Sequence, residues 1–298
     1  MTTTYATTST TTQQDVRARK IRKFIVRIFV IYIPVVVVMF FMLLPFYWML
    51  VTSFKPNPEL YNRKISPFYP LNPTGEHYQY LFNKTSFMTW FVNTAVVSVV
   101  STLISVALSI PAAYSLARLH FKGRQTLSTI IFIAYLIPTT LLFIPMVEVV
   151  KQLDLINKRE ALMFVYPTFL LPFCIWLLLG YIRTLPADLE ECAMVDGATR
   201  WQAMIRITLP LAMPGIISAG IFAFTLSWNE FIYSLVLVTS NDLRTIAVGV
   251  ITQLVAGDLY AWGPLMAAAL LGSIPVVILF SFFVEQYVSG LTAGALKG

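Results

Sequence analysis

The chain has 298 residues, 57% of them apolar and only 12% charged, and its mean hydropathy is +0.74. Soluble domains carry about 25% charged residues, so a water-soluble globular protein is excluded and a lipid bilayer is the natural solvent. The net charge of +7 does not point to nucleic acid, because the basic residues sit in short clusters beside apolar runs rather than in a stripe interleaved with aromatics.

Residues 1–14, MTTTYATTSTTTQQ, are polar and Thr-rich and read as disordered. The apolar run that follows outlasts the core of a signal peptide and ends at no small-residue cleavage site, so it is expected to stay as a transmembrane helix. Six segments are long enough to span: residues 28–51, 91–116, 127–150, 161–182, 214–238 and 263–284. Each supplies the roughly 20 residues that cross a hydrocarbon core of about 30 Å at a rise of about 1.5 Å. Arg17, Arg19, Lys20, Arg22, Lys23 and Arg27 precede the first span, Arg118, Lys122 and Arg124 follow the second, and Arg183, Arg200 and Arg206 follow the fourth. The positive-inside rule then puts both termini in the cytoplasm. The expectation is an all-α integral membrane protein with six transmembrane helices. Its parts are a disordered basic tail (1–27), a first span (28–54), an extracytoplasmic loop (55–90), a core (91–288) with a cytoplasmic loop at 183–212, and a cytoplasmic tail (289–298).

The loop at 55–90 is rich in Pro, Asn and Tyr and reads as irregular structure with turns, its aromatics suited to the membrane interface. Pro34, Pro45, Pro111, Pro138, Pro145, Pro172 and Pro275 fall inside spans, where each removes a helix hydrogen bond. Gly215 with Ala219, and Ala268 with Gly272, are small residues at four-residue spacing that permit close helix packing. Cys174 and Cys192 show no disulfide or metal-ligand spacing and read as free thiols.

The loop between the fourth and fifth spans, TLPADLEECAMVDGATRWQAMIRITLPLAMPG, carries the most local information. Pro186 can open a helix, and Asp188, Glu190 and Glu191 follow at the end where the helix dipole favours acids. Gly197 supplies a left-handed stop, Thr199 and Gln202 form a capping box for a second helix, and Pro210 is expected to end it. Local physics therefore predicts helix, glycine turn, helix.

This stretch resembles the signature loop of ABC importer permeases: Glu-Ala-Ala, three residues, Gly, nine residues, Ile-x-Leu-Pro. The matching residues are Glu191, Cys192, Ala193, Gly197, Ile207, Leu209 and Pro210, with every spacing kept and Cys192 standing for one alanine. The runs SFKP (53–56), WFVNT (90–94), PAAYSLARLHFKGR (111–124), SWNEF (227–231) and GLTAGALKG (290–298) are similar to the carbohydrate branch of that family, the maltose-type second permease. The resemblance covers about residues 28–298. It implies a type I importer permease fold and a coupling helix, with Glu191, Cys192, Ala193, Asp196 and Gly197 meeting an ATPase. It further implies a second homologous permease, two ATPase subunits that bind ATP and Mg, an extracytoplasmic solute-binding protein and a carbohydrate substrate. No cofactor is expected in this chain itself, which has no GxxxxGK[ST] loop for nucleotide phosphates.

Within the spans, Asn229 and Glu230 have two readings: polar groups on a solute path, or partners in a helix–helix contact. The loop at 239–262 suits either a contact with an external partner or a short helix lying on the membrane. Two rival classes remain at this point. A self-contained secondary transporter would need an ion-coupling cluster, and a membrane enzyme transferring sugars would need an acidic or metal site, which Asp188, Glu190 and Glu191 superficially offer.

Overall fold

The computed structural model describes residues 24, 26–62, 64–257 and 259–295, with the backbone alone at 256 and 285–295. Residues 1–23, and with them most of the expected basic tail, lie outside the described residues, as do 296–298 at the other end. In hydrocarbon a backbone must satisfy its own hydrogen bonds, so long apolar runs become helices whatever their propensity in water. α1 (Ile28–Phe54) shows this, running through four consecutive valines at 35–38. It opens with a π-helical turn at Ile28–Tyr32 in which the Ile33 N–H reaches back to Ile28 O, immediately before Pro34, which has no N–H to give. Only Val51, Thr52 and Ser53 of the helix from Ile33 onward are buried, so α1 is buried against the bundle at its C-terminal end.

The connection after α1 is more ordered than its composition predicts. It contains a helical turn, Asn57–Leu60, and a helix, α2 (Glu76–Lys84). Glu59 pins it: its carboxylate accepts from Leu71 N, Asn72 N and Asn72 Nδ2, each at 2.9 Å. Desolvation acts to raise the Glu59 pKa, but these donors and the Lys55 ammonium outweigh it and hold the carboxyl below its usual range.

α3 (Phe87–Arg118) and α6 (Arg159–Thr184) form the most extensive helix pair of the bundle. Ser98, Ser101, Ser105 and Ser109 recur along one fully buried face of α3, where small side chains let neighbouring helices approach closely. Between them, the expected single span at 127–150 is two helices, α4 (Arg124–Leu136) and α5 (Thr139–Gln152), bent by 96°. Pro138 explains the correction, since the residue before a proline is pushed out of the helical region and Ile137 is extended, with φ −69° and ψ 123°.

After α6 come α7 (Asp188–Val195) and α8 (Arg200–Leu211). The expected fifth span at 214–238 is also divided, into α9 (Met213–Trp228) and α10 (Ile232–Leu237), with the break at 229–231. α11 (Ile246–Leu254), a two-stranded hairpin (β1 Val255–Ala256, β2 Leu259–Tyr260) and α12 (Trp262–Ala295) complete the chain. α11 is not a helix lying loose on the surface. Ile246, Val248, Gly249, Val250 and Leu254 are buried, and Ile246, Val250 and Leu254 cluster with Leu81, Phe87, Trp90, Ala267 and Ala268. α12 is kinked at Phe283 (φ −120°, ψ 15°), and residues 289–295 of the expected C-terminal tail are helical beyond that kink.

By length and apolarity α1, α3, α6 and the Trp262–Val284 part of α12 can cross a membrane. The bent pairs α4–α5 and α8–α9, the second turned by 73°, raise that number to six if each is one span. The main core joins α3, α6 and α9 around Val97, Tyr166, Leu170, Leu178 and Ala219. Close approach is real at Gly215, where a Cβ would come within 2.6 Å of the Tyr181 ring.

Two outcomes follow from this packing. A Cβ on Gly249 would stand 2.2 Å from the Trp90 ring, which is fully buried and tied by its Nε1–H to Asn241 O at 2.7 Å. Gly249→Ala should therefore destabilise by about 1–3 kcal/mol, as overpacking does, while Gly75→Ala, with open space around it, should be silent in the same thermal-unfolding assay. For the 55–75 connection, the lowered Glu59 pKa means that its contribution is present above the unfolded carboxylate range and is lost as pH falls through the folded value. Hydrogen exchange at Leu71 and Asn72 should accelerate on acidification, after correction for intrinsic rates, and Glu59→Gln should remove that pH dependence.

Candidate functional site

The α7–α8 loop is built from local rules. α6 ends at Thr184, Leu185 is extended, and Pro186 stands two residues ahead of α7 rather than in its first turn. α7 closes in a Schellman motif: Ala198 N–H bonds to Ala193 O at 2.9 Å and Gly197 N–H to Met194 O at 3.1 Å, with Gly197 at φ +92°. The capping box forms as predicted, Gln202 N–H to Thr199 Oγ1 at 3.3 Å and Thr199 N–H to Gln202 Oε1 at 2.8 Å. Pro210 does not end α8. The chain widens into a π-helical turn at Met204–Thr208, where Leu209 N–H reaches Met204 O, and turns only at Ala212.

The result is a short protruding knob. Glu191, Cys192, Asp196 and Gly197 are exposed and Ala193 is half-buried. Val195 is 87% exposed and Trp201 63%, so the outward surface is apolar as well as acidic.

Glu190 points the other way, and the sequence reading missed it. It is 4% exposed, and Arg118 Nε donates to its Oε1 at 2.7 Å while Tyr114 OH donates to its Oε2 at 2.9 Å. Arg118 Nη2 also donates to Leu185 O at 2.9 Å. One side chain at the end of α3 thus grips both the end of α6 and the root of α7. The available signal was Tyr114 and Arg118 at i and i+4, which share a helix face.

The second candidate region is the break between α9 and α10. Glu230 is half-buried, and its carboxylate accepts from Tyr166 OH at 2.8 Å, Tyr233 N at 2.8 Å and Ser234 N at 3.1 Å. It caps the start of α10 and ties it to α6. Asn229 is exposed, donates its Nδ2–H to Thr225 O at 2.8 Å, and lies on the wall of a groove of about 610 Å³. Phe46, Trp228, Phe231, Ala269 and Ser273 share that wall, which is overwhelmingly apolar. The two residues read together from the sequence are therefore separated. Among the described residues, no three His, Cys, Asp or Glu side chains converge as a metal site.

Residues 105–292 match the family described as binding-protein-dependent transport system inner membrane component. The chain belongs to that family. Among its relatives, the sulfoquinovosyl glycerol transport system permease protein SmoH of Agrobacterium fabrum is 37% identical over 257 residues, 86% of this chain and 89% of that protein. The trehalose/maltose transport system permease protein MalG of Thermococcus litoralis is 36% identical over 259 residues, covering 86% and 92%. The fold is that of a solved bacterial ABC transporter involved in alginate import, with TM-score 0.72, 19% identity, and 94% and 99% of the two chains covered. For a member of this transport family, the matched region takes in the knob, the Glu190 grip and the α9–α10 break, while α1 and the 55–86 connection precede it.

The buried Arg118–Glu190 pair gives a prediction. Removing one member of a buried ion pair strands the other and costs about 3–5 kcal/mol. Glu190→Ala and Arg118→Met should each lower thermal stability by that order and increase protease cleavage at 185–199. The double variant should lose less than the sum, and strict additivity would show that the pair is not coupled.

Proposed function

We propose that this permease crosses the membrane six times with both termini in the cytoplasm, and forms half of the translocation path of an ATP-driven importer for a sugar or sugar derivative. Its partners on this reading are a second homologous permease, two ATPase subunits that bind ATP and Mg, and an extracytoplasmic binding protein that delivers the solute. The observation that carries the reading is the knob: Glu191, Cys192, Ala193, Asp196 and Gly197 sit on a short helix closed by two rigid motifs and mounted on the bundle by a buried ion pair. A rigid, exposed element with an apolar tip at Val195 and Trp201 suits insertion into a cleft of an ATPase.

The sugar class is supported by the relatives, whose names refer to sulfoquinovosyl glycerol and to trehalose and maltose. A solved fold neighbour is an alginate transporter in complex with a pentasaccharide-bound periplasmic protein, which suits an external delivery partner. The enzyme alternative loses its acidic cluster, because Glu190 is consumed by Arg118 and Tyr114 while Glu191 faces outward. A self-contained transporter leaves the knob without a purpose. On the path, Asn229 is the polar group offered to solute, and Glu230 shapes the break beside it.

Gentle solubilisation of the tagged chain from its native host should bring down an ATPase and a second permease. In proteoliposomes holding that complex and its binding protein, Gly197→Pro and Glu191→Lys should abolish ATP-dependent sugar uptake without lowering membrane insertion. Normal uptake by either variant would remove the knob from the mechanism.

A further inference from the structure

The chain between the knob and the outer surface is not a rigid route. Followed along the sequence, it passes a 73° turn at Ala212 and then the break at 229–231 before reaching the irregular segment at 238–245. A displacement fed into that route would be absorbed at its two joints. α3 offers another route. It is unbroken over 32 residues, roughly 48 Å at about 1.5 Å per residue, which exceeds the roughly 40–45 Å of a whole bilayer. Its inner end carries the Tyr114 and Arg118 grip on Glu190.

Its outer end carries a second grip. Trp90 Nε1–H donates to Asn241 O at 2.7 Å, and Thr94 Oγ1 accepts from Ile246 N at 2.7 Å. Between them Asn93, 2% exposed, donates through Nδ2 to Asp242 O at 2.8 Å and to Arg244 O at 3.0 Å. Arg159 Nη1, from the first turn of α6, donates to Asn93 Oδ1 at 3.1 Å. Asn157, just before α6, holds the same segment by accepting from Thr239 N at 3.1 Å and Ser240 N at 2.9 Å. The segment from 239 to 245 has no helix or strand of its own, so side chains of α3 and of Asn157 stand in for the partners its backbone lacks.

Asn93 is the centre of this arrangement because both of its donors and its acceptor are engaged at once. An aspartate would lose the donors, and a leucine would leave two carbonyls and a guanidinium without their partner. The shaft between the two grips is itself firmly packed, with four buried serines on α3 keeping it close to its neighbours.

We propose that α3 is a lever gripped at both ends, and that Asn93, held by Arg159, is the positioning residue that makes the outer segment at 239–246 move with the knob as one body. The inference rests on the reading of the knob as an ATPase-coupling element. Motion imposed on α7 by an ATPase is delivered through Glu190 and Arg118 to α3 and α6, and through Asn93 to the root of α11, one wall of the Asn229 groove. The joints at Ala212 and 229–231 let α9 and α10 lag behind that movement.

The test uses the complete importer in lipid nanodiscs, with Cys192→Ala to clear the exposed thiol and spin labels at Asp188→Cys and Asp242→Cys. The label-to-label distance should be the same in nucleotide-free and ATP-trapped states. Asn93→Leu should make that distance differ between the states or broaden its distribution. It should also lower binding-protein-stimulated ATPase activity and uptake by about 2- to 30-fold, the range expected when a connected coupling network is disturbed, with basal ATPase activity and complex yield unchanged. If Asn93→Leu does not assemble, Arg159→Met, which removes one bond of the same grip, should show the smaller form of the same effects. A wild-type distance that shifts between states would overturn the lever. So would an assembled Asn93→Leu complex with a constant distance and full uptake. Failure of the underlying reading has a different signature: the wild-type complex would show no ATP-dependent uptake at all.

Discussion

In hydrocarbon an unbonded N–H or C=O has no water to turn to, so this chain can leave regular helix only where side chains stand ready to take over the freed groups. At three irregular points side chains take over backbone groups that regular helix no longer serves. At the α9–α10 break the Glu230 carboxylate takes the Tyr233 and Ser234 N–H groups at the start of α10. Ahead of α11, Trp90, Asn93, Thr94 and Asn157 serve the backbone from Thr239 to Ile246. At the root of the knob Arg118 serves Leu185. Buried polar residues of two kinds result: Asn93, Thr94, Glu190 and Thr245 lie near helix ends, and Ser98, Ser101, Ser105 and Ser109 lie along the face of α3.

This economy changes how intramembrane charge is to be read. An ionisable residue in a span invites a functional assignment, and Glu230 beside Asn229 invites it twice. Yet Glu230 already accepts from Tyr166, Tyr233 and Ser234, and its place in the chain follows from the break that it caps. Asn229 spends one donor on Thr225 and keeps its remaining polar capacity exposed at the groove. The charged neighbour caps the break and the neutral one faces the groove.

What was legible in the sequence was whatever local chemistry decides. The long apolar runs of α1, α3, α6 and α12 announce themselves by length. Gly197 and the Thr199–Gln202 box are fixed by contacts within a few residues, and both form as read. What was not legible depends on partners far along the chain. Glu190 meets Tyr114 across 76 residues, and Asn93 meets Asp242 across 149. From the sequence Glu190 was one of three acids at a helix start, with nothing to mark it as the buried one. The breaks at Ile137 and at 229–231 were hidden for a related reason. Prolines occur in continuous helices here too, at Pro167 and Pro172 in α6, so composition alone does not say which one breaks its helix.

The distribution of breaks sorts the bundle into two kinds of element. α3 and α6 are continuous, pack against each other most extensively and hold the polar grips at both ends. The α4–α5 and α9–α10 stretches are jointed, and they meet each other where Tyr233 OH bonds to Thr139 O at 2.9 Å, one joint braced by the residue that follows the other. The two continuous helices pack on each other, the two jointed stretches meet at Tyr233 and Thr139, and α9 packs against both continuous helices in the main core. On the proposed lever, the rigid part would carry a displacement across the membrane and the compliant part would reshape the groove beside Asn229. The groove is walled by the α9–α10 break, α11 and α12, and neither α3 nor α6 contributes a residue to its lining.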